Sequence, residues 1–430
     1  MSGAATGPGV GKGRNLRAYY ALAALVVGLV AGMLANRLGA DQRDSALGVA
    51  SFVGTLWLNA LKMTVIPLVV ALLVVGVAKS AEAAQTGRVA GRSVLWIVII
   101  CTVSAAFGAV ATIALTDAFP LPRATAALLQ GALANVEKAS APLAGPSEFF
   151  KGVIPPNLFA AANNGDILPL AVFALLFALA LTRLAGPARK SVVTFFEAIG
   201  DAFVVIIDWV LLLAPLGVFA LAFTVGSAAG GAAFAGLGHY VIIISFIGVL
   251  VTLAAYPLAS FVGRIGTAVF MRGMIAPQTV AISTRSSLAS LPAMLTASRD
   301  MGIRETVADV TLPIAVALYR ATGPAMNTAV AFYVAHWLGL EPTVPQMIAA
   351  TAVGAVMSYG AVSLPGEVSY ISSIAPIAMA LGVPIAPLAL LVAVEMVPDI
   401  FRTLGNVTLD VAVATVVDRS VEAEQVAQRA

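Results

Sequence analysis

Charged residues are scarce in this 430-residue chain. Only 10% of its positions are Asp, Glu, Lys or Arg, whereas 60% are hydrophobic; a soluble domain carries about 25% charged residues. So little charge cannot cover a surface that faces water, which makes lipid the expected solvent for most of the chain. The Lys and Arg residues stand in short clusters between apolar runs, as topology signals do. We therefore do not expect nucleic acid as a partner, despite a net charge of +3.

Metal-ligating and nucleophilic side chains are equally rare. The single cysteine, Cys101, lies in an apolar run, so an intrachain disulfide is excluded. His239 and His336 are far apart and have no Cys or paired carboxylate at ligand spacing, so neither a metal site nor a cofactor is predicted. An intramembrane enzyme with Ser286 or Ser287 as nucleophile needs a base, and no His or Lys is placed to act as one. We predict that the chain is not an enzyme.

Apolar runs long enough to cross a bilayer recur along the chain. A crossing of about 30 Å of hydrocarbon takes about 20 residues. Eight runs reach this length, near residues 17–36, 50–78, 91–116, 160–184, 200–228, 238–263, 307–338 and 385–416. Eight crossings that begin and end in the cytoplasm place nearly all Lys and Arg clusters inside, as the positive-inside rule requires. The pattern predicts an all-α polytopic protein of the inner (cytoplasmic) membrane, with a disordered cytoplasmic lead at 1–16, an outside connection at 118–160 and a cytoplasmic tail at 418–430.

Two apolar segments do not fit as spanning helices. Residues 281–296 and 358–374 are each interrupted by small polar residues and a proline. They also echo each other, since Ala-Ser-Leu-Pro at 289–292 resembles Val-Ser-Leu-Pro at 362–365. Backbone left unpaired at membrane depth is tolerated only beside protein or a cavity, and a matched pair of interrupted segments is typical of a transporter site at a repeat interface. We predict two re-entrant helical hairpins around a substrate site; two kinked spanning helices are the alternative.

The last apolar run carries a stripe of polar residues. Glu395, Asp399, Arg402, Asn406 and Asp410 are spaced by 4, 3, 4 and 4 residues, which places them within a sector of roughly 80° on a helix. A charge at the bilayer centre costs several kcal/mol unless it is paired or wet, so such residues usually mark a substrate or ion path. A self-satisfied ladder of the two carboxylates with Arg402 is the structural alternative.

The chemistry of this stripe favours a zwitterionic ligand with two acidic groups. Arg402 offers a planar fork suited to a carboxylate, Asp399 can hold an ammonium, and Asn406 can donate an amide to a second carboxylate. A dicarboxylic amino acid has all three matching groups. A plain C4-dicarboxylate would leave Asp399 facing carboxylates, which is unfavourable unless Asp399 is protonated. An ion channel, the alternative class, would need pore-lining rings instead of one asymmetric site.

These motifs resemble those of the glutamate/aspartate transporter family, the dicarboxylate/amino acid:cation symporters, over essentially the whole chain. Residues 58–79 are similar to the family's second helix, and 399–410 (DIFRTLGNVTLD) closely resemble its final helix. Residues 284–292 (TRSSLASLP) and 364–366 (LPG) resemble its two hairpin tips. The resemblance implies eight transmembrane helices plus two re-entrant hairpins with inverted repeats. It also implies a homotrimer in which a transport domain slides like an elevator against a fixed scaffold.

The same resemblance implies a division of the chain into domains. The scaffold and trimerisation domain is expected at 17–78 and 118–229, and the transport domain at 91–117 and 237–417, with hairpins near 270–298 and 346–378.

Individual residues inherit roles from the resemblance. The expected substrate-binding residues are Arg402, Asp399, Asn406, Thr403, Ser286, Ser287, Leu364, Gly366 and Gly323. Asp410 matches a sodium-binding carboxylate of the family. Glu395 is expected to pair with Arg285.

One departure from the family changes the expected coupling ion. The seventh helix of the family carries Asn-Met-Asp-Gly-Thr, whose Asn and Asp help bind sodium, whereas this chain has Tyr-Arg-Ala-Thr-Gly at 319–323. Residues 96–101 (WIVIIC) also lack the hydroxyl groups of a third sodium site. Hard cations need several oxygen ligands, so the sequence argues against sodium. Arg320 is expected to act as a built-in cation facing Asp410; a snorkelling or structural arginine is the alternative.

We therefore predict a secondary transporter of acidic amino acids that is proton-coupled or sodium-independent. Glu367, Glu395 and Asp399 are the candidate proton carriers. Sodium-coupled symport of C4-dicarboxylates or of neutral amino acids is the alternative within transport.

Overall fold

A computed structural model of the chain describes residues 8–134, 153–360 and 366–429, and these residues form helices without any β-strand. The helices of the first half are α1 (Pro8–Ala35), α2 (Ala40–Gln85), α3 (Arg88–Ala118), α4 (Arg123–Ala134), α5 (Leu158–Asn164), α6 (Ile167–Leu181), α7 (Gly186–Leu212) and α8 (Ala214–Ala229). Those of the second half are α9 (Ala232–Pro257, extended by a π-turn at Leu258–Val262), α10 (Thr267–Thr284), α11 (Ser287–Asp300), α12 (Glu305–Leu318), α13 (Gly323–Trp337), α14 (Val344–Met357), α15 (Gly366–Leu381), α16 (Ala386–Leu391) and α17 (Met396–Arg429).

The predicted all-α membrane fold is confirmed, and each of the eight predicted apolar runs lies in helical structure. In the described part of the chain, four helices are long and apolar enough to cross a bilayer, namely Ala40–Gln85, Arg88–Ala118, Ala232–Val262 and Met396–Glu424. A fifth crossing results if α7 and α8, which meet at a bend of 57°, count as one span.

The ends of the chain are more helical than the composition indicates. Helix α1 already begins at Pro8, inside the predicted disordered lead, and α17 continues through the predicted tail to Arg429. Arg92 on α3 pairs with Glu424 at 2.9 Å, which ties this last extension to the body of the protein.

Four of the predicted spans are interrupted within the apolar run: at 165–166, at Leu213 and at two longer breaks. Residues 319–322 separate α12 from α13, and residues 392–395 separate α16 from α17. The first break has a local cause, because Pro324 in the first turn of α13 has no N–H and disfavours helical backbone just before it. Tyr319, which follows the last residue of α12, is extended, with φ −135° and ψ 166°. Several N–H groups at the breaks remain hydrogen-bonded, in turns at 392–395 and through the Thr322 amide to Asn406.

In the first half of the chain, α1 packs on α8 with backbone nearly touching backbone. A Cβ added to Gly28 would lie 2.6 Å from the carbonyl oxygen of Phe219, and one added to Gly32 would collide with that of Phe223. The Gly-x-x-x-Gly spacing on α1 is the pattern that allows such close approach between membrane helices. Helix α2 packs against α6, α7 and α8.

In the second half, the helices gather around α17 and α13. Helices α9, α10 and α12 pack against α17, and α3 packs against α13. The α3–α13 contact is as close as the α1–α8 contact, because a Cβ on Gly108 would collide with the carbonyl group of Ala325 in the first turn of α13. This grouping of helices accords with the expected scaffold and transport domains, a division that stays a prediction.

Candidate substrate site

The two interrupted segments form helical hairpins. Hairpin 1 consists of α10 and α11, which pack on each other, and hairpin 2 consists of α14 and α15. Their bounds, 267–300 and 344–381, lie within three residues of the predicted ones.

The tip of hairpin 1 is a two-residue reversal. Arg285 has a positive φ of 50°, and Ser286 is extended, so the chain turns before Ser287 begins α11. The Ser286 hydroxyl accepts a hydrogen bond from the Ala289 amide at 3.3 Å, which caps the new helix. A left-handed arginine costs about 1–2 kcal/mol in backbone energy, and such strain is concentrated at ligand clamps and switches.

The tip of hairpin 2 falls largely outside the described residues. Leu364 lies there, and Gly366 is the first described residue, at the start of α15. Glu367 is within that helix, but its side chain is also outside the described part. The expected roles of these three residues stay predictions.

The predicted stripe on the last helix begins with a buried ion-pair network. Arg402 Nη1 lies 2.5 Å from Glu395 Oε1 and 3.2 Å from Asp399 Oδ1, and Tyr240 Oη donates to Glu395 Oε2 at 2.9 Å. The sequence pairs Glu395 with Arg285, whereas the ion pair that the structure records for Arg285 is with Asp399, at 4.0 Å. The reason is positional: Glu395 sits in the turn before α17, close to Arg402, and Asp399 is the carboxylate that faces hairpin 1.

This network does not use all of the hydrogen-bonding capacity of Arg402. Its side chain is only 6% exposed, yet Nε and Nη2 are buried and have no hydrogen-bond partner among the described residues. Leaving a buried donor unpaired costs about 1–3 kcal/mol, so native structures rarely do so without a reason such as a ligand. The ladder in which Arg402 and the two carboxylates satisfy one another is therefore only partly present, because it uses Nη1 of Arg402 alone.

A pocket opens on this arginine. Four predicted site residues line it: Asp399, Arg402, Arg320 and Gly323. Six other lining residues are missed by sequence reasoning: Asn327, Met357, Ser358, Ser369, Tyr370 and Ser373. The serines at 369 and 373 share one face of α15, and this i, i+4 spacing of small polar residues in an apolar helix is the signal that would have pointed to them.

Arg320 lies in the pocket and not against Asp410. Its Nη1 donates to Ser369 Oγ at 2.7 Å, and the described residues record no ion pair between Arg320 and Asp410. The expected position beside Asp410 is therefore not seen. Its hydrogen bond with Ser369 instead joins the break between α12 and α13 to hairpin 2.

Two further predicted residues support the site from behind. Thr403 donates its hydroxyl to the Asp399 carbonyl at 2.9 Å, and Asn406 accepts a hydrogen bond from the Thr322 amide at 2.8 Å. Both are buried, but neither lines the pocket. Asn406 thus satisfies a backbone N–H that the helix break leaves open, and its contact with substrate stays a prediction.

Asp410 is isolated at the other end of the stripe. It is 1% exposed, and its Oδ1 has no hydrogen-bond partner among the described residues. An unpaired carboxylate in an apolar interior is so costly that it takes up a proton or a cation.

Residues 18–420, nearly the whole chain, match the family model described as the sodium:dicarboxylate symporter family. The chain belongs to this family. A proton/glutamate-aspartate symporter of Escherichia coli is 25% identical over 91% of this chain and 89% of its own length. A proton/sodium-glutamate symport protein of Bacillus subtilis is 27% identical over 85% of each chain, and a C4-dicarboxylate transport protein of Laribacter hongkongensis is 27% identical over 91% and 87%.

Membership of the symporter family confirms the resemblance seen in the motifs. The family consists of transporters and not of enzymes, and this member is a multi-pass membrane protein. The pocket around Arg402 is thus the candidate substrate site of a symporter-family protein.

Proposed function

We propose that this protein is a secondary active transporter of acidic amino acids, aspartate or glutamate, that is coupled to protons and independent of sodium. The observation that carries the proposal is the buried Arg402 guanidinium, whose Nε and Nη2 have no partner in the described chain while the residue lines the pocket. A guanidinium fork of this kind matches a carboxylate in two parallel hydrogen bonds.

Asp399 supplies the complementary charge for the ammonium group of an amino acid. It lines the same pocket as Arg402 and lies one helical turn before it. Its side chain is 16% exposed, so it remains accessible from the pocket. The Escherichia coli relative, named for glutamate and aspartate, supports this substrate class.

Asp410 supports the proton as coupling ion. In this proposal it is neutralised by a proton, because the described residues supply no cation and the sodium ligands expected from the family are replaced by Tyr319 and Ala321. Glu395, held between Arg402 and Tyr240, and Glu367 are further groups that can carry the proton.

The transport cycle is proposed to follow the elevator scheme in a homotrimer of the inner membrane, with both termini in the cytoplasm. The close packing of α1 on α8 suits an immobile scaffold. Hairpin 2 and the last helix contribute residues to the lining of the pocket. In this scheme they move together with hairpin 1 as one body across the scaffold.

A C4-dicarboxylate is the second candidate substrate, and one observation favours it. Asp399 already lies between Arg402 and Arg285, so its negative charge is compensated and repels a second carboxylate less than the sequence indicates. The Laribacter relative is named for C4-dicarboxylates.

Uptake of labelled aspartate into proteoliposomes tests the proposal. We expect saturable uptake and counterflow, driven by an inward proton gradient, with less than a tenfold change in aspartate affinity when sodium replaces choline. Liposomes with Arg402→Ala serve as the control for binding. Linear, non-saturable flux would indicate a channel, and a tenfold or larger gain in affinity with sodium would overturn the proton assignment.

A further inference from the structure

Two guanidinium groups line the substrate pocket. Arg402 enters from the last helix, and Arg320 enters from the break between α12 and α13. The position of Arg320 in the pocket is unexplained by the proposed assignments, in which Arg402, Asp399 and Asn406 bind the substrate.

The hydroxyl groups around Arg320 make this part of the pocket polar. Ser369 accepts a hydrogen bond from Arg320 at 2.7 Å, and Ser358 and Ser373 also line the pocket. All three serines are buried, with 5–7% of their surface exposed. A guanidinium carries five N–H donors, so Arg320 can hold Ser369 and still donate to a ligand.

Gly323 makes room for the arginine. A Cβ at position 323 would lie 3.2 Å from the Cβ of Arg320, closer than side chains ordinarily pack, and it would also approach Asn327. Glycine at 323 therefore leaves the space that the long, positively charged side chain at 320 needs in the wall of the pocket.

Asn406 is poorly placed for the role of second carboxylate ligand. Its side-chain oxygen accepts from the Thr322 amide at 2.8 Å, and it is not among the residues that line the pocket. Arg320 does line it.

We infer that Arg320 is a second anion-binding residue of the substrate site, so that Arg402 holds one acidic group of the substrate and Arg320, with the pocket serines, holds the other. The substrate class is then any small molecule with two acidic groups, since each of the two guanidinium groups that line the pocket can pair with one of them. This inference rests on the proposed function and assigns Arg320 to specificity instead of ion coupling.

The test compares Arg320→Met with the parent protein in detergent and in proteoliposomes. Binding of aspartate and of succinate, which have two acidic groups, is expected to fall at least tenfold. Displacement of labelled aspartate by serine or alanine at millimolar concentration is expected to be unchanged or stronger. Arg320→Lys, which keeps the charge but loses the fork, should recover part of the loss.

Two further variants separate binding from folding. Arg299→Met removes an arginine that is about half exposed and paired with Glu305 and Asp309 outside the pocket, and it should bind all ligands like the parent. Gly323→Thr keeps Arg320 but crowds it, and it should weaken aspartate and succinate at least fivefold. Monodisperse elution and an unchanged melting temperature establish that each variant is folded.

The outcomes are distinct. Aspartate and succinate binding unchanged in Arg320→Met would overturn the inference and leave the proposed function standing. An equal loss for ligands with one and with two acidic groups would also overturn it, since it would make Arg320 a structural residue. A parent protein that binds neither aspartate nor succinate would overturn the proposed function together with the inference.

Discussion

The two ends of the polar stripe on the last helix differ in whether their charged side chains are paired. At the first end, Arg402 is within 3.2 Å of both Glu395 and Asp399, and Arg285 lies 4.0 Å from Asp399, so two cations match two carboxylates. Arg402 and Asp399 also line the pocket. At the other end, two helical turns later, Asp410 is equally buried but has no ion pair in the described part of the chain. The first end is suited to bind a charged molecule, and the second is suited to bind a proton or cation. In the proposed function, the substrate and the coupling ion therefore bind the same helix, about 12 Å apart.

Removal of Arg402 should have the largest effect, because it breaks the matched end. Arg402→Ala leaves Glu395 without its cation and Asp399 with Arg285 alone, and breaking a buried pair costs about 3–5 kcal/mol. We expect a lower melting temperature and a loss of aspartate binding of more than tenfold, measured by thermal unfolding and isothermal titration calorimetry. Arg419→Ala, in the same helix but at a partly exposed pair with Glu422, should change neither. Parent-like aspartate binding by Arg402→Ala would be evidence against the assignment.

Removing the charge of Asp399 should distinguish ligands that carry an ammonium group from ligands that do not. Asp399→Asn should weaken aspartate about tenfold or more, because the ammonium loses its partner, while succinate, which has no ammonium, loses little. Competition against labelled aspartate and against labelled succinate measures both. Equal losses for the two ligands would make Asp399 a purely structural member of the network.

A smaller effect is expected where the network reaches α9. Tyr240→Phe removes the hydroxyl that donates to Glu395 at 2.9 Å, and a hydrogen bond to a charged group is worth about 1.5–3 kcal/mol. Part of this is recovered because Arg402 still pairs with Glu395. Aspartate affinity should fall by about three- to tenfold with no change in selectivity over succinate. A change in selectivity would place Tyr240 at the substrate itself.

The smallest effect on stability is expected at the unmatched end. If Asp410 is neutralised by a proton, Asp410→Asn replaces a neutral side chain by one of nearly the same shape, so the melting temperature should stay close to that of the parent. Uptake should lose its stimulation by an inward proton gradient. A strongly destabilised variant would indicate that Asp410 is ionised and paired with a cation in the folded protein.

The sequence predicts the matched end well and the rest of the pocket poorly. Charges are so costly at membrane depth that the spacing of Arg402 and Asp399 alone marks the site, and the two prolines with small polar residues mark the hairpins. Tyr240, however, is 155 residues from Glu395 in the chain, and no local pattern joins them. The family motif locates the helix break at 319–322 in the sequence. It does not tell which neighbouring helix the Arg320 side chain contacts, because that depends on the backbone conformation within the break.

The close contact of α3 with α13 at Gly108 has a consequence that a genetic screen would reveal. It lies on α3, where any side chain would collide with the carbonyl group of Ala325, two residues from the pocket-lining Gly323. Alleles that place a side chain at Gly108 should therefore be recovered together with substrate-site alleles, as growth defects on the transported nutrient, although the residue does not line the pocket. Alanine at Gly48, which has open space around it, should be silent in the same screen.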